Sequence, residues 1–297
     1  MINNMKNLFK FLKKSISTKK ENSFFKVETF QAFNFLSTMD LEQQIVANNI
    51  SSVNGWCSVC NKMTAMIFSH SLHHAIKNGM FINWREDAIC QECHFNARTR
   101  ATVDLVDRLI LTGIKSAYAT EAVTPLYFAL KEKIPALIGS EYLGEDKIGG
   151  HLYPYQEKRV SHEDITKLSF SDNSLGLILS FDVLEHVNDY KLALTEIYRT
   201  LKQGGHTLLS TPINPRLKST VTRAYIDNTE GQVKHLLEPA YHHNFIGNEG
   251  ILCFHDFGAD LVDLLYAIGF SGVDIFIAQS ATRHYYGDFI IFLYATK

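Results

Sequence analysis

The sequence lacks both an excess of charge of one sign and a long apolar run. Its 297 residues carry 29 Lys and Arg against 31 Asp and Glu, a net charge of -2. This balance offers no large basic surface for nucleic acid. No apolar stretch reaches the roughly 18 residues that a membrane-spanning helix needs. We therefore expect a cytoplasmic protein without a transmembrane segment, long enough to form two compact domains.

A signal-peptide core is also missing from the first 20 residues, because lysines interrupt every apolar stretch there. The pattern predicts a basic, partly helical arm over residues 1–50 that is weakly ordered at its start. An amphipathic helix that contacts a membrane surface or a partner protein is the alternative.

Cysteine is scarce, and four of the five cysteines form two CxxC pairs. They are Cys57, Cys60, Cys90 and Cys93. Without a signal peptide, such pairs indicate metal ligands rather than disulfides. Four thiolates suit tetrahedral zinc, and a site with four protein ligands is closed and structural. We predict a small zinc-binding domain over residues 51–105.

Three alternatives to four-cysteine zinc stay open at this point. An iron–sulfur cluster also takes four thiolates. The residues between the pairs include His70, His73 and His74, which compete as ligands. Cysteines also occur simply as small buried apolar residues.

After residue 105 the sequence alternates between strand and helix patterns. Predicted strands include residues 114–120, 135–143, a short strand within 159–168, 175–184, 206–213, 273–279 and 288–296, and predicted helices include 124–134, 189–205 and 254–270. Repeated βα units favour a mostly parallel sheet, here of seven strands, covered by helices on both faces. We predict one α/β domain over residues 106–297.

Acidic side chains follow several of these strands. In open parallel sheets, ligands bind beyond the carboxyl ends of the strands. Glu141 is placed to accept hydrogen bonds from ribose hydroxyls, and Asp164 with Ile165 is placed to bind and cover a purine. Each also has a plain explanation, as a solvated loop acid or a turn cap. Acids after three successive strands favour a nucleoside site.

The segment "LSFSDNSLGLILSFDVLEHVNDYKLALTEIYRTLKQGGHTLLSTP" resembles the central region of class I S-adenosylmethionine-dependent methyltransferases of the type 11 kind. The resemblance extends over roughly residues 110–297. It implies a Rossmann-like methyltransferase fold with S-adenosylmethionine as cofactor. The cofactor-binding residues that it implies, together with the strand-end positions, are Thr120, Glu121, Glu141, Tyr142, Asp164, Ile165, Phe181 and Asp182.

One feature departs from this family. Its first loop is usually rich in glycine, but residues 120–124, the first loop of this chain, contain none. A helix still follows, so its N-terminal N–H groups remain available to a carboxylate. Glu121 is placed to bind the amino group of the methionine moiety.

The methyl acceptor is not evident from the sequence. A base is needed only if the acceptor must lose a proton. The candidate bases are His186, Tyr241, His242, His243 and His255. Residues 214–257 form an insertion that we interpret either as a lid over the site or as a packed surface excursion.

We favour a small-molecule or sugar acceptor. Arg98, Arg100, Arg108 and Lys115 keep RNA as an alternative acceptor. The remaining alternative is a non-catalytic binding or scaffold protein with a degenerate cofactor loop.

Overall fold

A computed structural model describes residues 22–30, 33, 38–48, 50–68, 83–109, 114–227, 229, 231–242, 250–286 and 290–297. The predicted arm of residues 1–20, the histidines at 70, 73 and 74, and His243 lie outside these residues. The chain forms two compact units, Met1–Ile110 with Phe276–Ile290, and Leu111–Ile275 with Ile291–Lys297. The predicted domain bounds, residues 51–105 and 106–297, stay a prediction.

The first unit is built around a small antiparallel sheet. Its elements are β1 (Phe24–Val27), α1 (Met39–Ala47), β2 (Ser52–Cys57), β3 (Lys62–Ile67), β4 (Ile89–Cys90) and α2 (Ala97–Arg108). Strands β2, β3 and β4 pair in that order. Apolar side chains such as Ile45, Met66 and Trp84 pack with Cys57 and Cys90 in the core of this unit.

Arg100 is fully buried in the first unit and corrects one sequence interpretation. Its guanidinium donates to the carbonyl oxygens of Arg283 at 2.7 Å and of Ala88 at 3.0 Å. It also lies over the ring of Tyr285, 5.2 Å from the ring centre. Arg100 therefore stabilises the core and is not available to contact RNA, because its side chain is fully buried and both of its terminal nitrogens donate to backbone carbonyls.

The second unit alternates strands and helices as predicted. Its elements up to the insertion are β5 (Ala117–Ala119), α3 (Pro125–Lys133), β6 (Leu137–Gly139), β7 (Leu152–Tyr155), β8 (Lys158–Ser161), β9 (Leu175–Phe181), a 3-10 turn (Leu184–His186), α4 (Tyr190–Thr200) and β10 (Leu201–Ser210). The remaining elements are β11 (Val221–Thr222), β12 (Ala224–Asp227), β13 (Gln232–His235), β14 (Tyr241–His242), β15 (Ile251–Leu252), β16 (His255–Asp256), α5 (Asp260–Ile268), β17 (Gly272–Ala278) and β18 (Ile291–Thr296). Thr124 caps α3 and Asp189 caps α4, each accepting a hydrogen bond from a backbone N–H three residues later.

The main sheet has seven strands in the order β1-β17-β18-β10-β9-β5-β6. Strands β6, β5, β9 and β10 are parallel, whereas β18 runs antiparallel to β10. The centre of β9 is buried, as expected for a parallel strand covered on both faces. The predicted number of strands is confirmed. That helices cover both faces stays a prediction.

The predicted third strand of the sheet is wrong. The chain turns at Gln156, whose φ is 50°, so that β8 pairs with β7 as a local hairpin. Only His162 continues toward the sheet, where it forms one parallel bridge with Glu141. The seventh strand is instead β1, a segment that the sequence placed in the N-terminal arm.

The helix predicted over residues 189–205 is too long. It ends at Thr200, and the chain enters β10 directly at Leu201. The pairing of β10 with β9 shifts register between Leu201 and His206, and Gly204 has a φ of 72°. The glycine pair therefore lies in an irregular start of a strand, since a left-handed residue cannot continue a helix.

The insertion of residues 214–257 forms three two-stranded ribbons. Strand β11 pairs with β16, β12 with β13, and β14 with β15. Across the described residues, we find no helix with the length and apolar character needed to cross a membrane.

Candidate functional site

The order of strands in the main sheet reverses between β5 and β9, which are parallel neighbours. The chain leaves β5 for β6 on one side and leaves β9 for β10 on the other. A crevice opens at such a switch point, and it is the usual ligand site of open α/β sheets. Thr120 lies at this edge, where its hydroxyl donates to the Ser180 hydroxyl at 3.2 Å. The residues after β5, β6 and β9 are therefore the candidate cofactor site.

Glu141 anchors the first loop. Its Oε1 accepts hydrogen bonds from the backbone N–H groups of Ala122 at 2.7 Å and of Val123 at 3.0 Å. Burial raises the pKa of the Glu141 carboxyl, and these two backbone hydrogen bonds oppose that rise. The carboxylate thus compensates for the absence of glycine, because it holds the loop backbone from the neighbouring strand. Its predicted contact with ribose hydroxyls stays a prediction.

Gly139, at the end of β6, lets the first loop approach the sheet. A Cβ at this position would overlap the carbonyl oxygen of Glu121 and lie 2.6 Å from Cε2 of Tyr127. No side chain larger than hydrogen fits there without movement of the loop or of α3. The close approach usually given by a glycine in the loop is here given by a glycine on the adjacent strand.

Glu121 and Thr124 complete the first loop. The Thr124 hydroxyl donates to Oε2 of Glu121 and accepts from the backbone N–H of Tyr127 at 3.1 Å. The first loop therefore leads directly into α3, whose N-terminus carries the positive end of the helix dipole.

Asp164 forms a tight turn after the Glu141–His162 bridge. Its Oδ1 accepts from the backbone N–H of Thr166 at 2.8 Å and from the Thr166 hydroxyl at 2.7 Å. Ile165 is buried, whereas the ring of Tyr142 is half exposed and lies 5.5 Å from the ring of His162. Asp164 therefore caps a turn, as in the plain explanation given for it from the sequence. A role in binding adenine stays a prediction.

Glu163 is a buried carboxylate beside this turn that the sequence analysis missed. It accepts hydrogen bonds from the backbone N–H of Ser169 at 2.9 Å and from the Ser169 hydroxyl. Its position next to Asp164 in "HED" was the available signal. These contacts show that it braces the loop before β9.

Phe181 and Asp182 end β9, and Asp182 adopts a left-handed backbone with a φ of 55°. Its backbone N–H donates to the Ser210 carbonyl at 2.8 Å, and its Oδ1 accepts from the Ser210 hydroxyl at 3.2 Å. Residues other than glycine rarely occupy this region outside functional or tightly constrained positions. Asp182 is thus held in place from β10 at the edge of the candidate site.

Two of the candidate bases lie together, and two do not. The rings of His186 and His242 are 4.9 Å apart and nearly perpendicular. His255 is buried, with its ring 4.7 Å from that of Tyr190, and burial lowers its pKa. Tyr241 is 60% exposed. His186 and His242 are therefore the stronger candidates for proton transfer.

Two residues that the sequence analysis did not assign as candidate site residues accompany these histidines. Sγ of Cys253 lies 4.0 Å from Nδ1 of His186, and Oε1 of Glu185 lies 3.5 Å from Nδ1 of His242. Cys253 lies 67 residues after His186 and Glu185 lies 57 residues before His242, and these spacings match no motif.

His186, His242, Cys253 and Glu185 shift one another's pKa values. The hydrogen bond to Cys253 and the contact with Glu185 raise the pKa of His242 to about 10. Burial lowers the pKa of His186, but Cys253, Glu185 and the Leu252 carbonyl outweigh it, and the net shift is upward. Burial raises the pKa of the Cys253 thiol, and the two histidines reverse this to a net decrease.

In the first unit, the cysteine cluster (Cys57, Cys60, Cys90 and Cys93) lies as predicted on two turns. Their four sulfur atoms lie within 4.8 Å of one another, with Cys57 3.7 Å from Cys93 and Cys60 3.8 Å from Cys90. These distances exceed the roughly 2.05 Å of a disulfide. The residue after each CxxC is left-handed, with φ of 53° at Asn61 and 60° at His94. The cluster surrounds a space of single-ion size.

The hydrogen bond from Cys93 lowers the pKa of Cys57 to about 5, and Arg100 contributes to this shift. Burial raises the pKa of Cys60 to about 12, and the neighbouring thiols and burial raise that of Cys93. Four neighbouring sulfur atoms are a ligand set that suits a cation, since metal-bound cysteines are deprotonated.

Residues 147–209 match the family model described as a methyltransferase domain. This segment extends from the loop before β7 to the end of β10 and includes Asp164, Asp182 and His186. A search of curated proteins found no match.

Solved structures similar to the chain include an S-adenosylmethionine-dependent methyltransferase from Mesorhizobium loti, at 15% identity over 67% of this chain and 98% of that one, with a TM-score of 0.41. Another is a methyltransferase of the same cofactor class from Archaeoglobus fulgidus, at 15% identity over 67% and 94%, with a TM-score of 0.40. We base no assignment on these likenesses.

Proposed function

We propose that the second unit binds S-adenosylmethionine at the carboxyl ends of β5, β6 and β9 and transfers its methyl group to a small-molecule or sugar acceptor. The observation that carries this proposal is the attachment of the first loop to the buried carboxylate of Glu141 at the switch point of the sheet. It gives a glycine-free loop a defined shape where the cofactor would bind. The match of residues 147–209 to a methyltransferase domain supports the same conclusion.

The residues around this loop fit the parts of the cofactor. Glu141 would bind the ribose, while Asp164 and Ile165 would contact the adenine, beside the half-exposed ring of Tyr142. Phe181 and Asp182, together with Thr120 and Glu121 of the first loop, would contact the methionine end. The space that Gly139 leaves open is what permits the loop to lie against the sheet there.

The cofactor, when bound, supplies a methyl group on a cationic sulfonium, so the chain mainly orients the acceptor in line with it. An acceptor hydroxyl that must lose its proton requires a base. His186 follows Asp182 by four residues and pairs with His242. We place these two histidines, rather than the packed His255 or the exposed Tyr241, on the acceptor side. His242, whose pKa is raised to about 10, would be positively charged there, and neutral His186 would be the base.

We further propose that the cysteine cluster holds a structural zinc ion. With zinc–sulfur bonds of about 2.3 Å, a tetrahedral site places its sulfurs about 3.8 Å apart. The two closest sulfur pairs are at 3.7 Å and 3.8 Å. A space of this size suits one ion better than a cluster of several irons.

The charge of the chain supports an uncharged or small acceptor rather than RNA. The net charge is -2, and Arg100, one of the four basic residues that suggested RNA, is buried. Nothing in the described residues favours a second function over methyl transfer.

Calorimetric titration of S-adenosylmethionine into the protein and its variants tests the site. Glu141→Ala and Asp164→Ala should each weaken binding by about tenfold or more, the worth of about one charge-assisted hydrogen bond. Glu132→Ala, an exposed acid on α3, is the matched control and should bind as the wild type does. Unchanged affinity in both site variants would show that the cofactor site lies elsewhere.

A further inference from the structure

Three ligand-type side chains converge in the second unit from separate parts of the chain. His186 comes from the 3-10 turn after β9, His242 from β14, and Cys253 follows β15. One ligand atom from each lies within 4.8 Å of the others. Three segments distant in sequence thus meet in a spacing that suits one bound ion.

A buried carboxylate faces the same group and points to a cation. The side chain of Glu185 is 2% exposed, and its Oε2 accepts from the Thr211 hydroxyl at 2.8 Å. Its Oε1 is buried without a hydrogen-bond partner, 3.5 Å from Nδ1 of His242 and 3.9 Å from Nε2 of His186. A buried carboxylate oxygen left in this state is costly unless a positive charge compensates it.

The histidine rings are also oriented as metal ligands are. Nδ1 of His186 lies 2.8 Å from the carbonyl oxygen of Leu252, and Nδ1 of His242 faces Glu185. A metal-bound histidine keeps its second ring nitrogen on a carbonyl or a carboxylate, which fixes the tautomer and the ring. His242 has such an acceptor in Glu185. At His186, Nδ1 lies both on the Leu252 carbonyl and 4.0 Å from Sγ of Cys253, so zinc bound at Nδ1 would replace the contact with the carbonyl.

We propose that His186, His242 and Cys253 bind a zinc ion, with the Glu185 carboxylate balancing its charge through His242. Two imidazoles and one thiolate form a ligand set that zinc accepts readily. Three protein ligands leave the fourth tetrahedral position to water, as in zinc sites that are not closed. This site is distinct from the cysteine cluster. Zinc binding would make the two histidines placed on the acceptor side ligands of the ion instead of bases.

Zinc content per chain, measured by elemental analysis after purification in zinc-supplemented and then metal-free buffer, tests the site. His242→Ala and Cys253→Ser should each contain one zinc fewer than the wild type. His235→Ala, an exposed histidine on β13, is the control and should match the wild type. The cysteine cluster is intact in the wild type and in all three variants, so any zinc that it holds does not affect the difference in zinc content between them. Equal zinc in the wild type and both site variants would overturn the proposal.

A second measurement needs only the wild type and so does not depend on the folding of variants. Alkylation of Cys253 by a maleimide, followed by peptide mass spectrometry, should be at least tenfold slower with zinc bound than after chelation. A zinc-independent rate would overturn the proposal and indicate instead a metal-free thiolate paired with the two histidines.

Discussion

Gly139 shows at the scale of one residue how the fold tolerates an unusual loop. The first loop contains no glycine. The carbonyl oxygen of Glu121 and the ring of Tyr127 fit into the space left by the missing Cβ of Gly139 on β6. Glu141, two residues later, then binds the loop backbone. The sequence analysis saw only that the loop lacks glycine, because a pattern along one segment does not report which neighbouring strand makes room for it.

Substituting Gly139 with alanine should therefore weaken S-adenosylmethionine binding at least tenfold and destabilise the protein by about 1–3 kcal/mol, the usual cost of overpacking. Calorimetry and thermal unfolding measure the two effects. Gly272→Ala is the matched control, since a Cβ at that strand position meets no atom within 4 Å. If Gly139→Ala and Gly272→Ala have the same affinity for S-adenosylmethionine and the same stability, the close approach at Gly139 does not contribute to cofactor binding.

His284 makes the stability of the first unit depend on pH. Burial lowers its pKa to about 4, against about 6.5 for an unfolded histidine. Between these values the unfolded chain binds more protons, so stability rises with pH and is lost as pH falls from 6.5 toward 4. The difference corresponds to about 3 kcal/mol. Urea unfolding at several pH values should show this slope.

The variant His284→Asn tests that assignment, because asparagine tolerates the left-handed backbone at this position, where φ is 54°. Its unfolding free energy should vary less with pH over the same window. His151→Asn, an exposed histidine, should retain the full slope. A wild-type slope in His284→Asn would assign the dependence to other groups.

At the scale of elements, Arg199 joins α4 to the loop that precedes β9. Its guanidinium donates to the carbonyl oxygens of Leu168 and Phe170 and to the carboxylates of Asp172 and Glu196, at 2.6 to 2.9 Å. These contacts raise the pKa of Arg199 above its ordinary value. The planar fork of arginine makes such multiple contacts possible, and lysine cannot reproduce them.

Arg199→Ala should therefore lower the free energy of unfolding by about 2 kcal/mol, the scale of hydrogen bonds to charged groups. Arg199→Lys should recover less than half of that loss. Denaturant titration measures both. A full recovery by lysine would show that charge alone, rather than the geometry of the fork, holds α4.

The elements of the second unit were largely predictable, and their errors have local causes. Apolar periodicity located β5, β6, β9, β10, β17 and β18 and the three helices of this unit, but not β7 or the short strands of the insertion. It failed where pairing is decided in three dimensions: β8 folds back as a hairpin, α4 ends five residues early, and β1 joins a sheet predicted to lack it. The periodicity of one segment does not report which strand it pairs with.

The candidate sites also differ in whether the sequence alone could predict them. The cysteine cluster was predictable because CxxC spacing alone brings two thiols onto each turn, and the acids after strands were predictable from topology. The group of His186, His242 and Cys253 was not, because the turn after β9 and the β14–β15 ribbon meet only in the folded chain and carry no fixed spacing. Cys253 and Glu185 gained significance only from their distances to the histidines.

At the scale of the whole molecule, the first unit should depend on the zinc ion proposed for the cysteine cluster. Its core includes Cys57 and Cys90, and few strands surround them. Removal of the metal from the cysteine cluster leaves buried thiols without the ion that unites the two turns. Adding a strong chelator should lower the melting temperature by several degrees, and zinc should restore it. An unchanged melting curve after verified loss of zinc would contradict a structural role for the cluster.

The central claim is that the second unit binds S-adenosylmethionine through a glycine-free first loop. Isothermal titration of S-adenosylmethionine and S-adenosylhomocysteine into the wild-type protein tests it most directly. We expect one binding site per chain for each compound, with affinity in the micromolar range typical of substrates and cofactors. Absence of binding for both would contradict the account and leave a non-catalytic protein on a methyltransferase-like fold.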